Sequence, residues 1–118
     1  GLGLHYQLTK LAAGDCSARM ATNYDIELWL PSMNEYKECS SVSNARDYQA
    51  RRGGIRFRRK ETKKTEFVHT LNGSGLATSR LIPAIVEQFQ TAEGDVIVPE
   101  ALRKYLGIDQ AEPVAVRD

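Results

Sequence analysis

The stretch Glu66–Gln90, E-F-V-H-T-L-N-G-S-G-L-A-T-S-R-L-I-P-A-I-V-E-Q-F-Q, decides the fold. Phe67, Val68 and Leu71 predict a short apolar strand. Asn72, Gly73, Ser74 and Gly75 predict a tight polar turn whose backbone can come close to a ligand, because glycine tolerates φ > 0 and has no Cβ in the way. Leu81, Ile82, Ile85, Val86 and Phe89 follow at helical spacing and predict a helix with one buried face. Pro83 interrupts that pattern: it removes a hydrogen bond and crowds the carbonyl four residues back, so the helix is expected to kink or to begin near Ser79–Arg80. Arg80 falls at the helix start, where backbone N–H groups point outward. A cation beside free donors makes a place for phosphate or another anion. Taken alone, such a turn is common loop chemistry, and one arginine on a first turn is ordinarily solvated.

The other strands assemble around this unit. Tyr6, Leu8 and Leu11 predict a strand within residues 4–13, with His5 as surface or core filler, and Gly14–Thr22 forms a polar loop. Tyr24–Leu30 alternates: Ile26, Leu28 and Leu30 face one way, Asp25, Glu27 and Trp29 the other. Pro31 ends that strand. Glu35–Val42 predicts the next. A regular pleat puts Glu38 and Ser40 on one face and Cys39 and Ser41 on the other, whereas a bulge would let Glu38 and Ser41 converge on one ligand. Such an oxygen pair suits Mg²⁺, although two oxygen donors rarely define a metal site by themselves. Ser43, Asn44 and Asp47 are candidate caps for a short helix over 45–52. Ile55–Lys60 and Glu66–Leu71 predict a hairpin. Pro99, Glu100, Arg103, Lys104 and Gly107 punctuate a last helix. Residues 108–118 lack periodicity and are expected to be a disordered tail. The fold class is therefore α+β, an antiparallel sheet of four or five strands flanked by helices.

With 118 residues the chain supports one modest core. Its apolar runs are too short for a membrane span, and no basic-then-apolar signal opens it. Cys16 and Cys39 lack metal-ligand spacing and read as free thiols in a reducing, cytoplasmic setting. The formal net charge is only +1, yet residues 51–64 hold Arg51, Arg52, Arg56, Arg58, Arg59, Lys60, Lys63 and Lys64 against one acid, Glu61. Such a run is most often a solvated face, and it can also attract polyanions.

H-T-L-N-G-S-G-L-A-T-S-R (69–80) closely resembles motif 3 of the seryl-tRNA synthetases, a family of class II aminoacyl-tRNA synthetases. Y-D-I-E-L-W-L-P (24–31), Y-K-E-C-S-S-V-S-N (36–44), D-Y-Q-A-R-R (47–52), R-F-R-R-K (56–60) and V-P-E-A-L-R-K-Y-L-G (98–107) resemble further blocks of that family, in the same order. The resemblance implies that residues 1–107 are the C-terminal portion of a class II catalytic domain. It assigns ATP contacts to Glu38, Cys39, Ser40, Ser41 and Arg80, Mg²⁺ ligation to Glu38 and Ser41, and contacts to the substrate serine to Asn72 and Ser74. Arg80 matches the catalytic motif 3 arginine, which packs on adenine and reaches the triphosphate. Arg51 and Arg52 match a structural or electrostatic pair.

The implied activity is serine–tRNA ligation. Serine and ATP give seryl-adenylate, and the seryl group passes to tRNA(Ser). ATP and Mg²⁺ are the cofactors, and the complete enzyme is expected to be a homodimer with no membrane association. The family's motifs 1 and 2, its upstream serine-binding residues and its helical tRNA-binding arm are absent from these 118 residues, so the chain by itself is expected to be inactive. Two other readings are a non-catalytic RNA-binding or scaffold paralogue and a ligase that charges a carrier protein with an amino acid.

Overall fold

The structure, a computed structural model, describes residues 1–112. Its centre is a four-stranded antiparallel sheet in the order β1-β2-β3-β6. The strands are β1 (Tyr6–Lys10), β2 (Thr22–Leu30), β3 (Glu35–Arg46) and β6 (Thr70–Gly73). A 3₁₀ turn, Pro31–Met33, joins β2 to β3. Between β3 and β6 come α1 (Tyr48–Gly53) and a separate ribbon of β4 (Arg56–Arg58) and β5 (Thr65–Phe67). Helix α2 (Thr78–Gln88) follows β6; then β7 (Val96–Ile97), α3 (Glu100–Leu106) and β8 (Gln110–Ala111) complete the described chain.

The alternation of β2 sets the two faces of the sheet. Leu28 and Leu30 are buried and form the core with Cys39 and Ala84; Leu4, Ala77 and Leu81 pack around them. Helix α2 thus covers one face. Pro83 sits inside α2 and does not end it. Ala84, next to it, has no exposed surface. The helix begins at Thr78, just before the expected Ser79–Arg80 start, and runs through Pro83 without ending.

Several expectations change. The segment 66–71 is not one strand. Phe67 pairs with Arg56 in the ribbon, while Thr70 pairs with Arg46 in the main sheet. The chain leaves one sheet for the other at Val68–His69 because the two ends have different partners. Gly73 lies in β6 opposite Val42. Neither Gly73 nor Gly75 has positive φ, so this turn does not depend on the left-handed freedom of glycine. Strand β3 runs on to Arg46, which removes Ser43 and Asn44 as helix caps. Asp47 is the N-cap of α1, but its carboxylate accepts a hydrogen bond from Arg51 Nη2 at 3.0 Å and makes none to the helix backbone. Gly107 ends α3 in the left-handed conformation that glycine tolerates best, as expected. The predicted tail does not begin at 108. Gln110 and Ala111 pair with Ile97 and Val96, and Val98 N–H donates to Asp109 O at 2.9 Å. The rest of that predicted tail, 113–118, lies outside the described residues.

One polar clamp ties the β2–β3 turn to α2. The Ser32 backbone N–H and hydroxyl donate to Glu87 at 3.0 and 2.8 Å. The backbone bond first, and the hydroxyl second, hold the Glu87 carboxyl below its ordinary value of 4.5. A carboxyl with a depressed folded-state pKa contributes stability above the ordinary value, and that contribution is lost as pH falls through the folded value. Glu87→Gln should therefore lower the melting temperature slightly at pH 7 and by less at pH 3. Melts across that range check this, and an equal loss at both values would refute the clamp.

Candidate functional site

The β2–β3 register shifts between Ile26 and Glu27: Ile26 pairs with Ser40 and Glu27 with Glu38. Cys39 is the extra residue of a bulge. It turns inward, 2 % exposed, against Leu28, Leu30 and Ala84. Because of it, the pairs Glu27–Glu38, Asp25–Ser41 and Asn23–Ser43 all fall on the face opposite α2. Glu38 and Ser41 thus share one face, the arrangement that a regular pleat forbids. Asn72 pairs with Ser43 and joins that face from β6.

Strand β6 covers β3 only from Val42 onward, which leaves the earlier edge of β3 open to the chain that follows. Ser74 N–H donates to Ser41 O at 3.3 Å and Ala77 N–H to Cys39 O at 2.9 Å. Arg80 Nη1 then donates to Glu38 O at 2.6 Å and lies 4.0 Å from Glu38 Oε2. The bulge therefore brings Arg80 and Glu38 together at the edge of the sheet. Both side chains are about half exposed, so the ion pair itself is weak and the guanidinium keeps donors for an incoming anion.

The remaining assigned residues divide by face. The Ser40 hydroxyl donates to Ser74 O at 2.7 Å and is buried on the α2 side. Cys39 Sγ is 3.9 Å from Ala77 O on that same side. Neither side chain faces Glu38's side of the sheet; any nucleotide contact at 39–40 falls to the backbone. Ser74, with its backbone held by Ser40 and Ser41, presents an exposed side chain. Arg51 pairs with Asp47, and Arg52 stacks on Tyr48 with its guanidinium carbon 4.9 Å from the ring centroid.

Sequence reasoning missed the polar network beneath this face. Asn23 is 9 % exposed and Asp25 8 %. Asn23 Nδ2 donates to Asp25 Oδ1 at 3.2 Å and to Ser41 Oγ at 3.0 Å, while its Oδ1 accepts from the hydroxyls of Ser41 and Ser43. Ser41 Oγ thus donates once and accepts once, which leaves a lone pair for a ligand. Glu27 Oε2 accepts from Gln7 Nε2 at 2.6 Å and Thr9 Oγ1 at 2.8 Å. His5, far from filler, bonds Tyr36 Oη through Nε2 at 2.9 Å and packs with Trp29 and Tyr36. The polar alternation in 23–27 was the available signal. It says nothing about which polar residues are buried.

The fit to Mg²⁺ rests on donor chemistry. Among the described residues no group of three or more His, Cys, Asp or Glu side chains could hold a metal by itself. One carboxylate, one hydroxyl and the phosphates of a bound nucleotide suit a cation that keeps several waters. A cavity of about 370 Å³ under the 11–21 loop, lined by Cys16, Met20 and Asn23 among others, is not the place where these groups meet.

Residues 1–89 match the family described as the tRNA synthetase class II core domain (G, H, P, S and T). The chain belongs to that family. It is 72 % identical over 110 residues to serine–tRNA ligase 2 of Clostridium acetobutylicum, covering 93 % of this chain and 26 % of that protein. It is 57 % identical over 108 residues to the serine–tRNA ligase of Thermodesulfovibrio yellowstonii, covering 92 % of this chain and 26 % of that one. The seryl-tRNA synthetase of Pyrococcus horikoshii, solved in complex with ATP, superposes with a TM-score of 0.89 at 42 % identity and covers 96 % of this chain and 25 % of its own. This class II core segment thus spans about a quarter of the length of the relatives it matches.

Replacing Asn23 isolates several partners at once. Asn23→Ala should cost about 1–3 kcal/mol in denaturant unfolding, because a buried carboxylate oxygen and two hydroxyls lose their partner. Asn23→Asp should cost more at neutral pH and recover part of the loss in acid, since it sets a second carboxylate beside Asp25. A neutral result for both would remove the network from the account.

Proposed function

We propose that this chain is the catalytic-domain portion of a serine–tRNA ligase, which activates serine with ATP and transfers it to tRNA(Ser). The observation that carries the proposal is that the Cys39 bulge sets Glu38 and Ser41 on the face that Asn72 joins, with Arg80 against Glu38 at its edge, within a segment 72 % identical to a serine–tRNA ligase. The solved relative in complex with ATP supports a nucleotide at such a site.

In this proposal Arg80 binds the triphosphate and lies against the adenine. Its planar guanidinium serves both purposes, and a lysine ammonium does not. Glu38 and Ser41 would hold Mg²⁺, which when bound neutralises phosphate charge. Asn72 and Ser74 contact serine and supply the hydrogen bonds that a smaller, hydroxyl-free amino acid would leave unpaired. The serine carboxylate attacks the α-phosphate of ATP and pyrophosphate leaves; a ribose hydroxyl of the tRNA then takes the acyl group from seryl-adenylate, and AMP leaves. The chain's contribution is to position the reactants and to stabilise charge. The rest of the protein completes the site, and we take the complete enzyme to be a cytoplasmic homodimer.

Serine-dependent ATP–pyrophosphate exchange tests this in the complete enzyme. Arg80→Ala should lower exchange by about two to three orders of magnitude, the loss typical of a donor that meets charge developing in the transition state. Near-normal exchange would remove Arg80 from the chemistry. Glu38→Ala should move the Mg²⁺ midpoint of exchange upward; an unchanged titration would exclude ligation by Glu38.

A further inference from the structure

The β4–β5 ribbon stands apart from the site. Every residue from Arg51 to Thr65 is exposed. The ribbon forms its own two-stranded sheet, and a ribbon of that size has little stability of its own. Three contacts give it shape. Arg56 stacks on Phe67, with its guanidinium carbon 4.6 Å from the ring centroid, and Arg59 lies over Phe57 at 5.2 Å. Arg59 also clamps Glu66 with two bonds of 2.9 and 2.6 Å. The tip is closed by Arg59 N–H to Lys64 O, Lys63 N–H to Arg59 O and Arg58 Nε to Lys63 O.

The clamp compensates one cation and leaves the others unmatched. Among the described residues no carboxylate lies within ion-pair distance of Arg52, Arg56, Arg58, Lys60, Lys63 or Lys64. Arg56 and Arg58 point to one face of β4, with Phe67 and Thr65 as cross-strand neighbours. Two residues on a strand are about 7 Å apart, a spacing comparable with that of neighbouring phosphates in a polynucleotide. The cluster is not part of the nucleotide site. It springs from the far end of β3, and the nine residues from Glu38 to Arg46 span roughly 25 Å of strand. A row of cations in which stacking holds Arg56 and the Lys63 carbonyl holds Arg58, with no acid opposite either, fits an extended polyanion better than a single triphosphate.

We infer that the β4–β5 ribbon and its basic tip form a contact surface for the phosphate backbone of the RNA substrate, separate from the site that activates serine. The inference rests on the tRNA-ligase reading above for its choice of polyanion. The contact contributes affinity and salt dependence and leaves the activation step untouched.

The test uses the complete enzyme and fluorescently labelled tRNA(Ser). The first variant is Lys60→Gln/Lys63→Gln/Lys64→Gln, which keeps the strands and the backbone bonds of the tip. The second is Arg56→Gln/Arg58→Gln. Anisotropy titrations should show about tenfold weaker binding at 0.1 M salt for each variant, and a shallower slope of log affinity against log salt. Serine-dependent exchange without tRNA should stay within about twofold of the parent; the expected shift confined to binding supports the contact. Unchanged affinity and slope in the tip variant would overturn it, as would a parallel loss of exchange, which would make the ribbon part of the catalytic fold. Absence of exchange in the unsubstituted enzyme would instead sink the serine-activation reading, and the anisotropy titrations would still decide the ribbon's role.

Discussion

One extra residue organises this domain. Cys39 has no partner on β2, so the strand register slips by one between Ile26 and Glu27. The slip has three effects at once. It turns the Cys39 thiol into the core, sets Glu38 and Ser41 on one face, and directs the Glu38 carbonyl to the open edge where Arg80 reaches it. Without the bulge, the side-chain period of two would separate Glu38 from Ser41. A bulge beside a candidate binding site is a common way of re-aiming a side chain.

The sheet separates two kinds of chemistry. One face is apolar and takes α2 through Leu28, Leu30, Cys39 and Ala84. The other is polar, and its buried members, Asn23 and Asp25, are joined by hydrogen bonds that also orient Ser41. Buried polar groups are tolerated only when paired, so this network stiffens the floor of the site as well as satisfying it. The open edge of β3 is completed in turn by Ser74, Ala77 and Arg80. The turn and the helix start are thereby held to the strand that bears Glu38.

The sheet is not covered throughout. Leu8 and Leu71 lie on the α2 side, by their pairing with Ile26 and Asn44, and are 63 % and 76 % exposed. Tyr24 and Val42, paired between them on the same side, are also exposed, and a contiguous apolar patch of this kind ordinarily marks a contact surface.

Much of this was legible in the residues. Alternation in 24–30 identifies the two faces, the helical spacing of 81–89 identifies α2, and Pro99 to Gly107 punctuate α3, because each of these signals is local. The family blocks carried the candidate ligands; in the fold Arg80 meets Glu38, and Ser41 and Asn72 lie on the same face of the sheet. What only the tertiary structure decided depends on partners distant in sequence. Whether β3 pleats regularly is set by its pairing with β2. Whether 66–71 is one strand or two is set by Arg56 on one side and Arg46 on the other. Whether Asn23 is a surface amide or the buried hub under Ser41 is set by β3 lying across it. Side-chain type and spacing fix which groups are available, and pairing between strands separated in sequence decides which of them meet.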